Sequence, residues 1–211
     1  MGFFKGLDPT KFPIDTSVSF HPDKIFLLQS ALGLNTETRV IDCSETEAPD
    51  GLAYPLPEDF RAQVEAFAQK NKDKARPVYV LKRKAWYSMD LAFADQDGNR
   101  LASLSGSLFK LGTRTVTFPE GSPHSAHDIE SQLIAPGRSE EVFVKDSNPF
   151  FWDMVESKGA LYKLVDEKRV LIALFAAKHG YTKDWVLLLN SAELDEVVAI
   201  ATFMMFLNRV D

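Results

Sequence analysis

The chain has 211 residues, 45% of them apolar and 26% charged, with a formal charge of −6. This suits one globular domain with a sizeable core, and a single cysteine excludes a disulfide scaffold. The negative balance excludes a uniformly basic surface of the kind that binds nucleic-acid phosphates.

The amino terminus, MGFFKGLDPTKF, is interrupted by Lys5, Asp8 and Lys11 and offers no apolar run of export-signal length. Gly2 follows Met1, but Gly6 stands where a myristoylation pattern needs Ser or Thr. There is no Asn-x-Ser/Thr sequon, so the expectation is a cytoplasmic protein, at most peripheral to membranes. Residues 1–22 read as an arm, and 23–211 as one domain with its core in 77–211.

Asp23 to Leu34 is apolar, with Gly33 as a possible cap, and reads as a short helix or a strand. Arg39 to Cys43 alternates as a short strand, and Cys43 reads as a partly buried small hydrophobe. An acidic stretch without Lys or Arg follows until Arg61 and reads as a solvated loop. Pro57 to Lys70 predicts an amphipathic helix: Glu58 and Asp59 sit in its first turn, while Phe60, Val64 and Phe67 share a face.

From Pro77 the pattern changes to short strands and turns. Trp86 to Ala94 alternates, Asp97-Gly98 signals a hairpin, and Arg100 to Leu111 and Arg114 to Phe118 continue the pattern. A turn at Glu120-Gly121 leads to segments at Gln132 to Ala135 and Glu141 to Val144. Ala160 to Val165, Val170 to Ala177 and Trp185 to Leu189 complete the series, with turns at Asp166 to Lys168 and His179-Gly180. At least seven strands at this spacing predict an antiparallel sheet, sandwich or barrel.

Asn190 and Glu193 form a capping-box pattern that predicts a helix starting at Ser191. Val197 to Leu207 then reads VVAIATFMMFL, in which Thr202 is the only polar residue. A helix apolar on every side must be buried on every side. The run spans only ~16 Å at 1.5 Å per residue, against about 30 Å of hydrocarbon, so a bilayer is the wrong enclosure. A sheet curled around the helix covers all its faces and removes its own edges.

Many short antiparallel strands followed by a hydrophobic helix resemble the tubby C-terminal-like superfamily, which includes the phospholipid scramblases and the LURP-one-related proteins. The residues that carry the resemblance are LAFADQDGNRLASLSGSLFKLGTRTVTF (Leu91 to Phe118), LYKLVDEKRVLIALFAA (Leu161 to Ala177) and the terminal ELDEVVAIATFMMFLNRVD. The resemblance implies a closed antiparallel β-barrel wrapped around the C-terminal helix, with the 57–70 helix as an addition. It implies a non-enzymatic binding module whose exterior basic side chains meet phosphoinositides or other anionic lipid headgroups. A protein–protein scaffold is the alternative, followed by a small-ligand carrier or an enzyme. A barrel already filled by its helix leaves little room for an internal ligand.

Catalytic labels are absent: no G-x-S-x-G, G-x-G-x-x-G, P-loop or H-E-x-x-H string occurs, and no cofactor is expected. Asp95, Asp97 and Asn99 mimic a calcium loop, but Arg100 and Gly106 stand where Gly and Glu are needed, so the segment reads as a hairpin turn. His124 and His127, with Asp128 and Glu130, bring metal-donor groups to one loop, but no third ligand is evident and a solvated loop is preferred.

Seven basic residues between Lys70 and Lys84 face only Asp73. Lys74, Arg76, Lys82, Arg83 and Lys84 are therefore the candidate headgroup contacts, although strand alternation places Arg83 opposite Lys82 and Lys84. Pro149-Phe150-Phe151-Trp152 reads as barrel-rim core in preference to an exposed wedge.

Overall fold

The structure is a computed structural model, describing residues 7–29, 37–46, 52, 56–70, 77–83, 90–106, 113–134, 140–155, 158–177 and 184–210. Among them, twelve strands make one closed antiparallel barrel in which each pairs with its sequence neighbours. These are β1 (Lys24–Gln29), β2 (Glu37–Asp42), β3 (Tyr79–Arg83), β4 (Leu91–Asp95), β5 (Arg100–Gly106) and β6 (Arg114–Thr117). They continue as β7 (Ile129–Leu133), β8 (Glu140–Lys145), β9 (Asn148–Val155), β10 (Lys158–Val165), β11 (Lys168–Ala177) and β12 (Trp185–Leu189). The seam is the β1–β12 pair, with Lys24 opposite Leu189 and Leu28 opposite Trp185. The described residues also form two α-helices, α1 (Glu58–Lys70) outside the barrel and α2 (Glu196–Val210) within it, and a short 3-10 turn at Pro9–Lys11.

Alternation turns one face of every strand into the barrel, and the other faces of β1, β2, β10, β11 and β12 into a second core. Phe93, Ala102, Leu104, Val116, Phe143, Trp152 and Phe175 point inward and meet α2. From Val197 to Leu207 no residue of α2 is more than 2% exposed. The centre is aromatic: Trp152, Phe175, Trp185, Phe203 and Phe206 lie at centroid distances of 4.8 to 6.0 Å. Thr202 is buried among them without an orphaned hydroxyl, because its Oγ1 donates back to the Val198 carbonyl at 2.9 Å. Burying each large apolar side chain contributes roughly 1.5 to 3 kcal/mol, which makes α2 a major source of packing energy for the barrel.

The second core lies outside the wall. Phe60, Val64 and Ala68 of α1 pack with Ile25, Leu27, Ile41, Leu174, Val186 and Leu188. Both faces of β12 are thus covered, α2 taking Trp185, Leu187 and Leu189 and α1 taking Val186 and Leu188. Two-sided burial is why WVLLL reads as a continuous apolar run rather than an alternating one. The Arg61 guanidinium, at the margin of this core, donates to the Ala177 carbonyl and to Glu58 Oε1 at 2.9 Å.

The same two-sided burial decides between helix and strand for the described part of Asp23 to Leu34: Lys24–Gln29 is strand β1, and residues 30–34 lie outside the described residues. Phe26 and Leu28 face α2 while Ile25 and Leu27 face the outer cluster. The barrel therefore takes β1 and β2 from the chain before residue 77. Helix α2 begins at Glu196 rather than Ser191. Asp195 caps it, Oδ1 accepting from the Val197 and Val198 amides at 2.9 and 3.1 Å, while Asn190 caps a preceding turn. Strand β9 has no counterpart among the predicted strands. The proposed turn at His179-Gly180 and residues 86–89 of the Trp86 to Ala94 strand lie outside the described residues, and β4 begins at Leu91. No helix among the described residues is long and apolar enough to cross a membrane.

Candidate binding cleft on the barrel wall

Because α2 fills the interior, concave surface is found on the wall and at the barrel ends. A cleft of about 490 Å³ lies across β3, β4 and β5, lined by Lys82, Arg83, Asp90, Ala92, Ser103 and Ser105 among others. Register explains its depth. Lys82 is opposite Ala92, and Ala92 is opposite Ser103, so long and short side chains stand side by side on one face. The ammonium of Lys82 is well exposed and sits 3.4 Å from Glu37 Oε2, also exposed, a pairing worth little in water.

Arg83, one residue on, belongs to the opposite face. Its guanidinium is half-buried and donates to Oδ1 of Asn208 in the last turn of α2. Burial lowers the pKa of this group from its ordinary value. Lys82 and Arg83 thus border one cleft, but only Lys82 presents its charge outward. Lys74, Arg76 and Lys84 lie outside the described residues.

The ends of α2 are held by polar groups that hydrophobic patterning does not reveal. At the amino end, Tyr79 donates its hydroxyl hydrogen to Glu196 Oε1 and Lys24 Nζ lies 3.3 Å from Glu196 Oε2. Burial, then the hydrogen bond and charge of Glu196, push the Tyr79 phenol well above its ordinary range. At the carboxyl end, Arg114 reaches in from β6 and donates to the carbonyls of Met205 and Asn208.

The histidine loop has a structural attachment. His124 Nδ1 is 3.0 Å from Oδ2 of the capping Asp195, whereas His127 contributes its main-chain carbonyl to Ser125 Oγ at 2.7 Å. Among the described residues no group of three or more His, Cys, Asp or Glu side chains is placed to hold a metal. Asp95 accepts from the Asp97 and Asn99 amides at 2.9 and 2.8 Å, and Gly98 has φ of 87°, making this segment a hairpin turn. Phe150, Phe151 and Trp152 are buried in β9 and form no protruding wedge. Cys43 is fully buried, and desolvation together with the Asp42 charge pushes its thiol up to about 12, the opposite of what a nucleophile requires.

The alternation that sets Arg83 opposite Lys82 in the sequence is the one found in β3, where Lys82 is exposed and Arg83 is half-buried. Arg114 and Asn208 carry no sequence mark of their pairing, since it joins residues far apart in the chain. Comparison of the chain with protein-family models, curated proteins and solved structures finds no match.

Proposed function

We propose that the protein is a non-enzymatic binding module of the tubby-like type, and that it engages anionic lipid headgroups at a membrane surface through the β3–β5 cleft. The observation that carries this reading is the position of the cleft. The helix occupies the space an internal ligand would need, while the outer wall offers a hollow bordered by Lys82, on the strand that carries the last part of the basic run of residues 70–84. The barrel wrapped around α2 is the architecture that the tubby-like resemblance implies, which supports the same reading. Clustered basic side chains beside an anionic leaflet contribute about 1 kcal/mol each, and the attraction weakens with salt.

The test is flotation of the full chain with phosphatidylcholine vesicles, with and without a phosphoinositide. Charge reversal is made at Lys74, Lys82 and Lys84, leaving Arg83 in place because it holds Asn208. Phosphoinositide-dependent flotation should fall by roughly two orders of magnitude at a loss of ~1 kcal/mol per site. Flotation that is absent for the parent chain, or unchanged by the triple reversal, overturns the reading.

A further inference from the structure

The barrel wall is uneven at β11. Along one side this strand pairs with β10 as far as Lys168, but along the other β12 reaches only from Ala177 to Ala173. A register shift between Leu161 and Tyr162, which leaves Ile172 out of the pairing, falls where the overhang begins. Residues Lys168 to Leu171 therefore form a strand edge beyond β12, and such an edge is a template for another extended segment.

The arm lies on that edge. The Arg169 amide donates to the Pro13 carbonyl at 2.8 Å, and the Asp15 amide donates to the Arg169 carbonyl at 2.9 Å, making Ile14 a parallel bridge partner of Arg169. Side chains add a reading of the sequence. Arg169 Nε donates to the Phe12 carbonyl at 2.9 Å, Lys168 Nζ stands 3.6 Å from Asp15, and the Phe12 ring lies 6.3 Å from that of Phe151. Pro9 and Phe20 are buried at either end of this stretch, while Pro13 and Ile14 are exposed, Ile14 at 45%.

This is the geometry of a bound peptide. Two main-chain hydrogen bonds fix the strand, an aromatic residue meets an aromatic side chain on the wall, and a carboxylate three positions later meets a basic edge. We propose that the β11 overhang is a docking site for an extended segment of a partner protein with the pattern aromatic-Pro-x-acidic, and that the arm is an intramolecular occupant that the partner displaces. Strand addition of this kind draws affinity from the main chain and selectivity from alternate side chains. Tethering gives the arm an effective concentration in the millimolar range, so it acts as a threshold that only a matching segment overcomes.

The test uses the full chain carrying Phe12→Ala and Asp15→Lys, and a labelled peptide of sequence LDPTKFPIDTSVS read by fluorescence anisotropy. The peptide should bind the variant at least about tenfold more tightly than the parent chain, whose edge is occupied. Reversing the peptide's second aspartate to lysine should abolish that binding. Hydrogen exchange at the Arg169 amide should be slow in the parent and fast in the variant. Should the double variant melt without cooperativity, Asp15→Pro serves in its place, since it removes the amide donor to Arg169 and the carboxylate facing Lys168 while leaving Phe12 intact. No peptide binding to the folded variant, equal binding to parent and variant, or an Arg169 amide equally protected in both would overturn the proposal. A dimer of the variant that the peptide dissociates would assign the edge to a second copy of the chain and overturn the choice of a separate partner.

Discussion

Arg114, at the start of β6, donates to the main-chain carbonyl of Asn208 at 3.1 Å and, through its other terminal nitrogen, to that of Met205. The Asn208 carbonyl is among the last four of α2, which have no intrahelical donor, and Arg114, itself 4% exposed, supplies one. One guanidinium thus closes the buried end of α2 and sets a positive charge at the negative end of its dipole.

Removal of this group should be costly. Arg114→Met is expected to lower stability by about 2 to 4 kcal/mol, because charged hydrogen bonds contribute ~1.5 to 3 kcal/mol and the carbonyls remain buried. Arg114→Lys should recover part of the loss, as it keeps the charge but not the fork. Urea unfolding checks both, and a midpoint for the Met variant equal to that of the parent would refute the capping role.

At the other end, Asp195→Ala should cost about 1 kcal/mol by removing the N-cap. It should also free His124, whose imidazole resonances are expected to move toward those of an unfolded peptide. His124 resonances that stay in place would show that the loop is held by something other than Asp195.

Gly159, in β10, is a site where even one methyl group has no room. A Cβ there would fall within 3.0 Å of both the Asp153 carbonyl oxygen and the Phe175 ring, and the backbone neighbour cannot swing aside. Gly159→Ala should destabilise by at least ~2 kcal/mol, in the range of overpacked cores. Thermal melting checks this, and an unchanged Tm would mean that β9 and β10 separate more easily than their pairing implies.

Alkaline pH should loosen the fold. The Cys43 thiol is held at about 12 against an ordinary 9.0, and the Tyr79 phenol is raised from 10.0. A folded-state pKa above the unfolded one favours folding while the group is protonated, and that stability is lost as pH rises from the unfolded value through the folded one. The urea midpoint should therefore hold to about pH 9 and fall between about pH 9 and 12. Cys43 should be inert to a thiol reagent at about pH 8 until the chain is unfolded. A midpoint flat across that alkaline range would contradict burial of these groups.

Hydrophobic pattern made the barrel and its filling helix legible, since VVAIATFMMFL can be satisfied only by enclosure. It was ambiguous where both faces of a strand are covered, as in β1, because a fully buried strand loses the alternation that distinguishes it from a buried helix. The turn before β9 also carried no glycine signal: Asp146 and Ser147 adopt positive φ of 50° and 64°, so the β8–β9 hairpin turns on residues without the usual mark. The wall cleft was legible only in its charges. Its shape comes from register, which sets Lys82 beside Ala92 and Ser103, and register across strands is not written in either segment alone.

The β1–β12 seam sets a timetable for synthesis. At about 5 to 20 residues per second, β1 leaves the ribosome roughly ten to thirty seconds before β12. For that interval Phe26 and Leu28 have no finished wall beside them, and α2, made after every strand, arrives last. Closure of the wall and filling of its interior are thus both left to the last residues made, so the apolar inner faces of the earlier strands gain their partner only when synthesis ends.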